Sequence, residues 1–267
     1  MNTLFKTLSL SLLVSTAAIA QKEVKYEKIF YKDTKVETKD YTIIVSNAVS
    51  TDAETKFKIK IVNKTANYLI YKPEESKFTI NGKTIDVKEK EIMIDPYDSD
   101  FKVINAKGVF NTLKSYSFSV DGVYKVIPGS PIPAEDFKLP PSKNEISAGP
   151  FTIAMDKFNK ETAGAAAKFK CTYNGGKLGM VSPSKANMRM PDGKVYATMK
   201  KEKSFILKPG KDESFTLTWD RMQGGGKAND LQFAEMIIMW NDMLNEASLE
   251  KTSANTVNME FDETKSK

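Results

Sequence analysis

Apolar and polar residues alternate with a period of two along much of this chain. Phe57, Ile59 and Ile61 alternate with Lys56, Lys58 and Lys60, and Phe169, Cys171 and Tyr173 alternate with Lys168, Lys170 and Thr172. Successive side chains of an extended strand point to opposite faces, so each run predicts a strand with one face in a core and the other in water. Phe118-Ser-Val120, Phe215-Thr-Leu-Thr-Trp219 and the series Val257, Met259, Phe261 repeat the pattern. Asn81-Gly82 and Asp192-Gly193 stand between such runs, where hairpins need residues that tolerate positive φ. Short strands bounded by turn signals predict an all-β chain of antiparallel sheets.

The landmarks recur in order at a nearly constant offset. Tyr41-Thr-Ile43 matches Phe151-Thr-Ile153, Lys56-Phe-Lys58 matches Lys168-Phe-Lys170, and Pro73 matches Pro183. Asn81-Gly-Lys83 then matches Asp192-Gly-Lys194, and Pro96 and Phe101 match Pro209 and Phe215. The offset drifts from 110 (Tyr41 to Phe151) to 114 (Phe101 to Phe215), as when loops gain residues and strands do not. An internal duplication into two tandem antiparallel β-sandwich domains is expected.

On this pattern each half resembles an immunoglobulin-like extracellular module, and the pair is similar to the tandem modules of secreted bacterial envelope proteins. The resemblance carries no specific motif, and the Cys…Trp…Cys spacing of antibody domains is absent.

Six of the eleven prolines lie between Pro128 and Pro150, a density that disfavours helix and interior strand and marks the inter-domain segment. The expected division is a signal peptide at 1–20, a first domain at 21–132 and a second at 133–267. Phe137 and Leu139 suggest a leading edge strand of the second. Residues 230–247 carry two patterns. Phe233, Met236, Ile237, Trp240, Met243, Leu244 and Ala247 have helical spacing behind Asp230, whereas the repeat aligns Leu231 with Leu113 and Met236 with Phe118 and predicts a strand. The strand is favoured, because tertiary context overrides propensity.

Lys6, the apolar run Leu8–Val14 and the small residues ending Ala18-Ile-Ala20 have the layout of a cleavable secretory signal, which places the mature protein in the periplasm or outside the cell. No later run approaches the roughly 18 apolar residues of a membrane span.

Composition narrows the chemistry. The chain of 267 residues has no His and one Cys, which excludes imidazole catalysis, His-ligated zinc and an intrachain disulfide. The net charge of +6 is shared nearly evenly between the halves, and with only Arg189 and Arg221 as guanidinium donors no nucleic-acid surface is expected.

Individual candidates reduce mostly to structural roles. Cys171 aligns with Ile59 on an inward face, where a thiol acts as a small hydrophobe. Ser182-Pro-Ser-Lys185 has the Ser-x-x-Lys spacing but lacks the companion Lys-Thr-Gly. Gly224-Gly-Gly-Lys227 lacks the first Gly and the final Ser or Thr of a phosphate loop. Asp95, Asp98 and Asp100 crowd one turn, as carboxylates that bind Ca²⁺ do, though without an EF-hand spacing. Trp219 and Trp240 lie among inward positions, leaving Tyr68 and Tyr71 as the surface pair for a ligand. The expected function is non-catalytic binding or support in the cell envelope, without a cofactor, toward an envelope protein or surface glycan. The alternative is a carbohydrate-binding module or a glycoside-acting enzyme that works with carboxylates alone.

Overall fold

The structure is a computed structural model that describes residues 26–162, 164–200, 202–220 and 235–266. The signal-like residues 1–20, the glycine run 224–227 and residues 230–234 lie outside the described residues. Among the described residues every regular element is a strand except two single 3₁₀ turns, Pro73–Glu75 and Pro183–Lys185, and all strand pairs are antiparallel.

Among the described residues five sheets enclose two main cores. In the first half, Ile29–Phe30, Tyr41–Ser50, Glu54–Asn63 and Ser99–Lys107 form one sheet in that order, with Thr34–Glu37 also paired to Tyr41–Ser50. Opposite it lie Asn255–Glu260, Ser115–Val120, Lys77–Ile80 and Lys83–Asp86. Their inward residues, including Ile43, Ile59, Phe78 and Phe118, pack into one cluster, and Phe57 and Phe118 meet edge to face with centroids 4.9 Å apart. In the second half, Glu145–Ala148, Phe151–Glu161, Gly164–Tyr173 and Lys211–Asp220 face the sheet of Phe137–Leu139, Met236–Met239, Asn187–Arg189 and Val195–Ala197. Phe169 and Trp240 lie at the centre of that cluster, 5.2 Å apart.

The fifth sheet belongs to both halves. Its order is Phe205–Leu207, Leu178–Val181, Leu244–Lys251, Val123–Pro131, Leu69–Tyr71, Ile92–Ile94, three strands from each half. The halves meet where Tyr124 to Pro128 pair with Lys251 to Ala247. Val123 and Tyr71 enter the first core, and Leu244 and Val181 enter the second.

The ladders of the halves correspond closely. Tyr41 pairs with Asn63 as Phe151 pairs with Tyr173, and each 3₁₀ turn closes through a bond to its own proline carbonyl, from Ser76 N–H or from Ala186 N–H. Phe118 lies between Phe78 and Val257, as Ile238 lies between Met188 and Phe137. The last strand of the chain therefore occupies in the first half the place that Phe137–Leu139 occupies in the second.

The expected boundary near Pro133 requires correction at this point, because Val257 and Met259 are buried in the first core rather than the second. The proline-rich segment also differs from expectation. Val123–Pro131 enters it as an interior strand, and the register shifts between Pro128 and Pro131, where proline cannot supply ladder N–H groups. Residues 236–239 and 244–251 are strands, not helix, and by the ladders Met236 corresponds to Tyr116 and Ile238 to Phe118. Asn81 and Gly82 both have positive φ, 49° and 73°, as the two-residue turn between Ile80 and Lys83 requires.

Candidate functional site

The residues singled out in the sequence are scattered. Tyr71 is fully buried and its hydroxyl meets Ser76 Oγ at 3.1 Å. Tyr68 is 4% exposed and donates its hydroxyl to the Ser204 carbonyl of the other half. The expected surface pair is thus corrected: alternation places the two rings on opposite faces of the central sheet, one in the first core and one in a smaller cluster with Ile70 and Val126.

Asp95, Asp98 and Asp100 do not converge. Asp95 Oδ2 takes a 3.0 Å ion pair from Lys203, whereas Asp98 and Asp100 each accept the amide of the following residue at 2.7 Å. No group of three or more metal-ligating side chains is assembled among the described residues.

Cys171 is fully buried opposite Ile153, and burial pushes its thiol up to about 12. Ser182 Oγ is bonded to Ser204 Oγ at 2.9 Å and buried, while Lys185 is exposed, so that pair has no catalytic geometry. Trp240 donates its ring N–H to the Glu135 carbonyl at 3.0 Å, and Trp219 is buried beside Leu217.

One polar cluster that joins the halves was invisible in the sequence, because its members come together only through pairing of the central strands. Lys251 of the second half lies 2.8 Å from Glu75 Oε2 and 3.0 Å from Asp121 Oδ1 of the first. Tyr124, directly opposite Lys251 in the ladder, donates to both Glu75 oxygens at 2.9 Å, and the Lys72 ammonium lies 4.7 Å from its ring centroid.

The electrostatics of this cluster oppose proton transfer. The bond to Glu75, then that to Asp121, raises the Lys251 ammonium above its ordinary value. Burial raises the Tyr124 phenol, and its acceptor carboxylate raises it further. Partial burial favours a neutral Glu75, but the bonds from Lys251 and Tyr124 outweigh it and hold the carboxyl below the usual range. Each group is thereby fixed in its ordinary neutral-pH state, and the cluster acts as a strut between the halves.

The same direction holds throughout the described residues whose pKa is shifted. Carboxyls fall, with Glu37 drawn to about 2 by bonds from Lys35, Thr42 and Lys64, while lysines, phenols and the thiol rise. No shifted group moves toward neutrality, where a general acid or base works best.

Among the described residues no helix is long and apolar enough to cross a membrane. The chain matches no protein-family model, and the search of curated proteins found no relative.

Proposed function

We propose that this chain is an exported, non-catalytic binding or structural protein of the cell envelope, built from two immunoglobulin-like sandwich modules that arose by duplication. What supports the non-catalytic part is that, among the described residues, the groups whose pKa is shifted move away from neutrality, whereas general acids and bases are commonly tuned toward it. A glycosidase acting through carboxylates uses an acid whose pKa is raised, whereas among the described residues every carboxyl with a shifted pKa is lowered. The corresponding ladders and 3₁₀ turns support the duplication.

Cross-linking of native envelope material followed by mass spectrometry tests the reading. Recovery of a defined protein neighbour supports a binding protein; recovery of none, together with hydrolysis of a glycan substrate, overturns it.

A further inference from the structure

One sheet edge differs sharply from its counterpart. Ser99–Lys107 is an edge strand paired only with Glu54–Asn63, and Lys211–Asp220 is the matching edge strand of the second half. Among the described residues, four of the seven exposed large hydrophobic side chains, Tyr97, Phe101, Val103 and Val109, lie on or beside the first of these strands.

Three differences separate the two edges. In the ladders Phe101 and Val103 pair with Lys60 and Lys58, where the second half has Ser214 and Thr216 opposite Lys170 and Lys168. The first edge is apolar where the second is hydroxylated. Lys168 and Lys170 pair with Asp156 and Asp212 at 2.9 and 3.2 Å, whereas among the described residues Lys58 and Lys60 have no carboxylate; the Lys58 ammonium rests 3.7 Å from the Phe101 ring centroid.

The third difference lies in the backbone. Asn63 N–H bonds to the Asp98 carbonyl, so Asp98 and the even residues after it face inward, while Ser99, Phe101, Val103 and Asn105 turn their N–H and C=O groups outward. Asp98 and Asp100 occupy the first two outward amides; those of Val103 and Asn105 have no partner among the described residues. At the matching residue of the second half, Thr218, the outward carbonyl accepts Met199 N–H at 2.8 Å and the outward amide is bonded to Thr198 Oγ1 at 3.2 Å. The loop residues 198–200 thus cover this edge at Thr218 in one half, and the counterpart at Asn105 is open in the other.

From these differences we infer that the edge of Ser99–Lys107, from Phe101 to Lys107, binds an extended segment of a partner protein that carries apolar and acidic side chains together on its solvent face, the face shared by Phe101, Val103, Lys58 and Lys60. Outward N–H and C=O groups supply the ladder, Phe101 and Val103 supply apolar contact, and Lys58 and Lys60 supply the complementary charge. Native proteins commonly blunt such edges with charge or cover, which the second half does and this one does only at its start. The inference rests on the protein-binding reading and names its site.

The test uses the full-length protein and two labelled synthetic peptides with Thr at every second position, the positions between alternating Val with Glu in one (Val/Glu) and Val with Lys in the other (Val/Lys), so that both side-chain types share one face. The Val/Glu peptide is expected to bind by fluorescence anisotropy and to slow hydrogen exchange at Val103 and Asn105 roughly tenfold or more. Val103→Pro removes an outward N–H without touching the inward ladder, a substitution tolerated on edges, and is expected to abolish binding. Should that variant lose its β circular dichroism, Phe101→Glu, on the solvent face, replaces it with the same expectation. Absence of binding, equal binding of the Val/Lys peptide, or protection at another edge would each overturn the assignment. Cellular cross-links that survive in Val103→Pro would refute this edge while leaving the protein-binding reading intact.

Discussion

Phe118 and Val257 are direct cross-strand partners, although one lies in the first half of the sequence and the other near its end. Phe137 and Ile238 have the same relationship in the second half. Each half is completed by a strand that follows the other half's last central strand, and the link from Lys251 to Asn255 is only residues 252–254. A strand contributed across the molecule in this way makes the two cores depend on one another.

Removing apolar volume from the returning strand should therefore weaken the first core. Met259 is fully buried, so Met259→Ala is expected to cost about 3 kcal/mol in urea unfolding. Its exposed neighbour Glu260, changed to Ala, should cost under about 0.5 kcal/mol. Equal effects from the two would mean that the strand is not anchored by its inward face.

Cys171 should behave as a core residue. Its thiol, raised to about 12 by burial, is expected to resist thiol-specific labelling in the native protein and to react once urea unfolds it. Cys171→Ala should cost about 1 kcal/mol. Rapid native labelling at neutral pH would contradict the burial.

Stability should be level across neutral pH and fall on both sides. Glu54, Glu75 and Asp121 lie below their ordinary values of 4.5, 4.5 and 3.8, so the stability they add is present above those values and is lost as pH falls through the depressed ones. Tyr31 and Tyr68 are raised from 10.0 to about 12, mainly by burial; that stability is present below 10.0 and is lost as pH rises toward 12. With no His in the chain, urea unfolding should give a plateau between about pH 5 and 9. A step between pH 6 and 7 would show a coupled group that this arrangement lacks.

Much of this architecture is written in local alternation, and the alternation is robust to small errors of alignment. Cys171 aligned in sequence with Ile59, whereas the ladders place it with Ile61. A slip of two residues keeps a side chain on the same face, so the alignment with Ile59 still places Cys171 in the core. Phe101 aligned with Phe215, but the ladders place it with Ser214. That one-residue slip exchanged the faces: Phe101 is 51% exposed and Phe215 is 3% exposed.

The sequence by itself determined the β character, the turns at Asn81-Gly82 and Asp192-Gly193, and the inward face of most strands, because these depend on neighbours one or two residues away. Tertiary structure alone decided the return of Asn255–Glu260 to the first half, the shared central sheet, the strut at Lys251 and the open edge at Val103 and Asn105. Strand pairing depends on which distant edge a strand meets, and alternation records only which of its faces is buried.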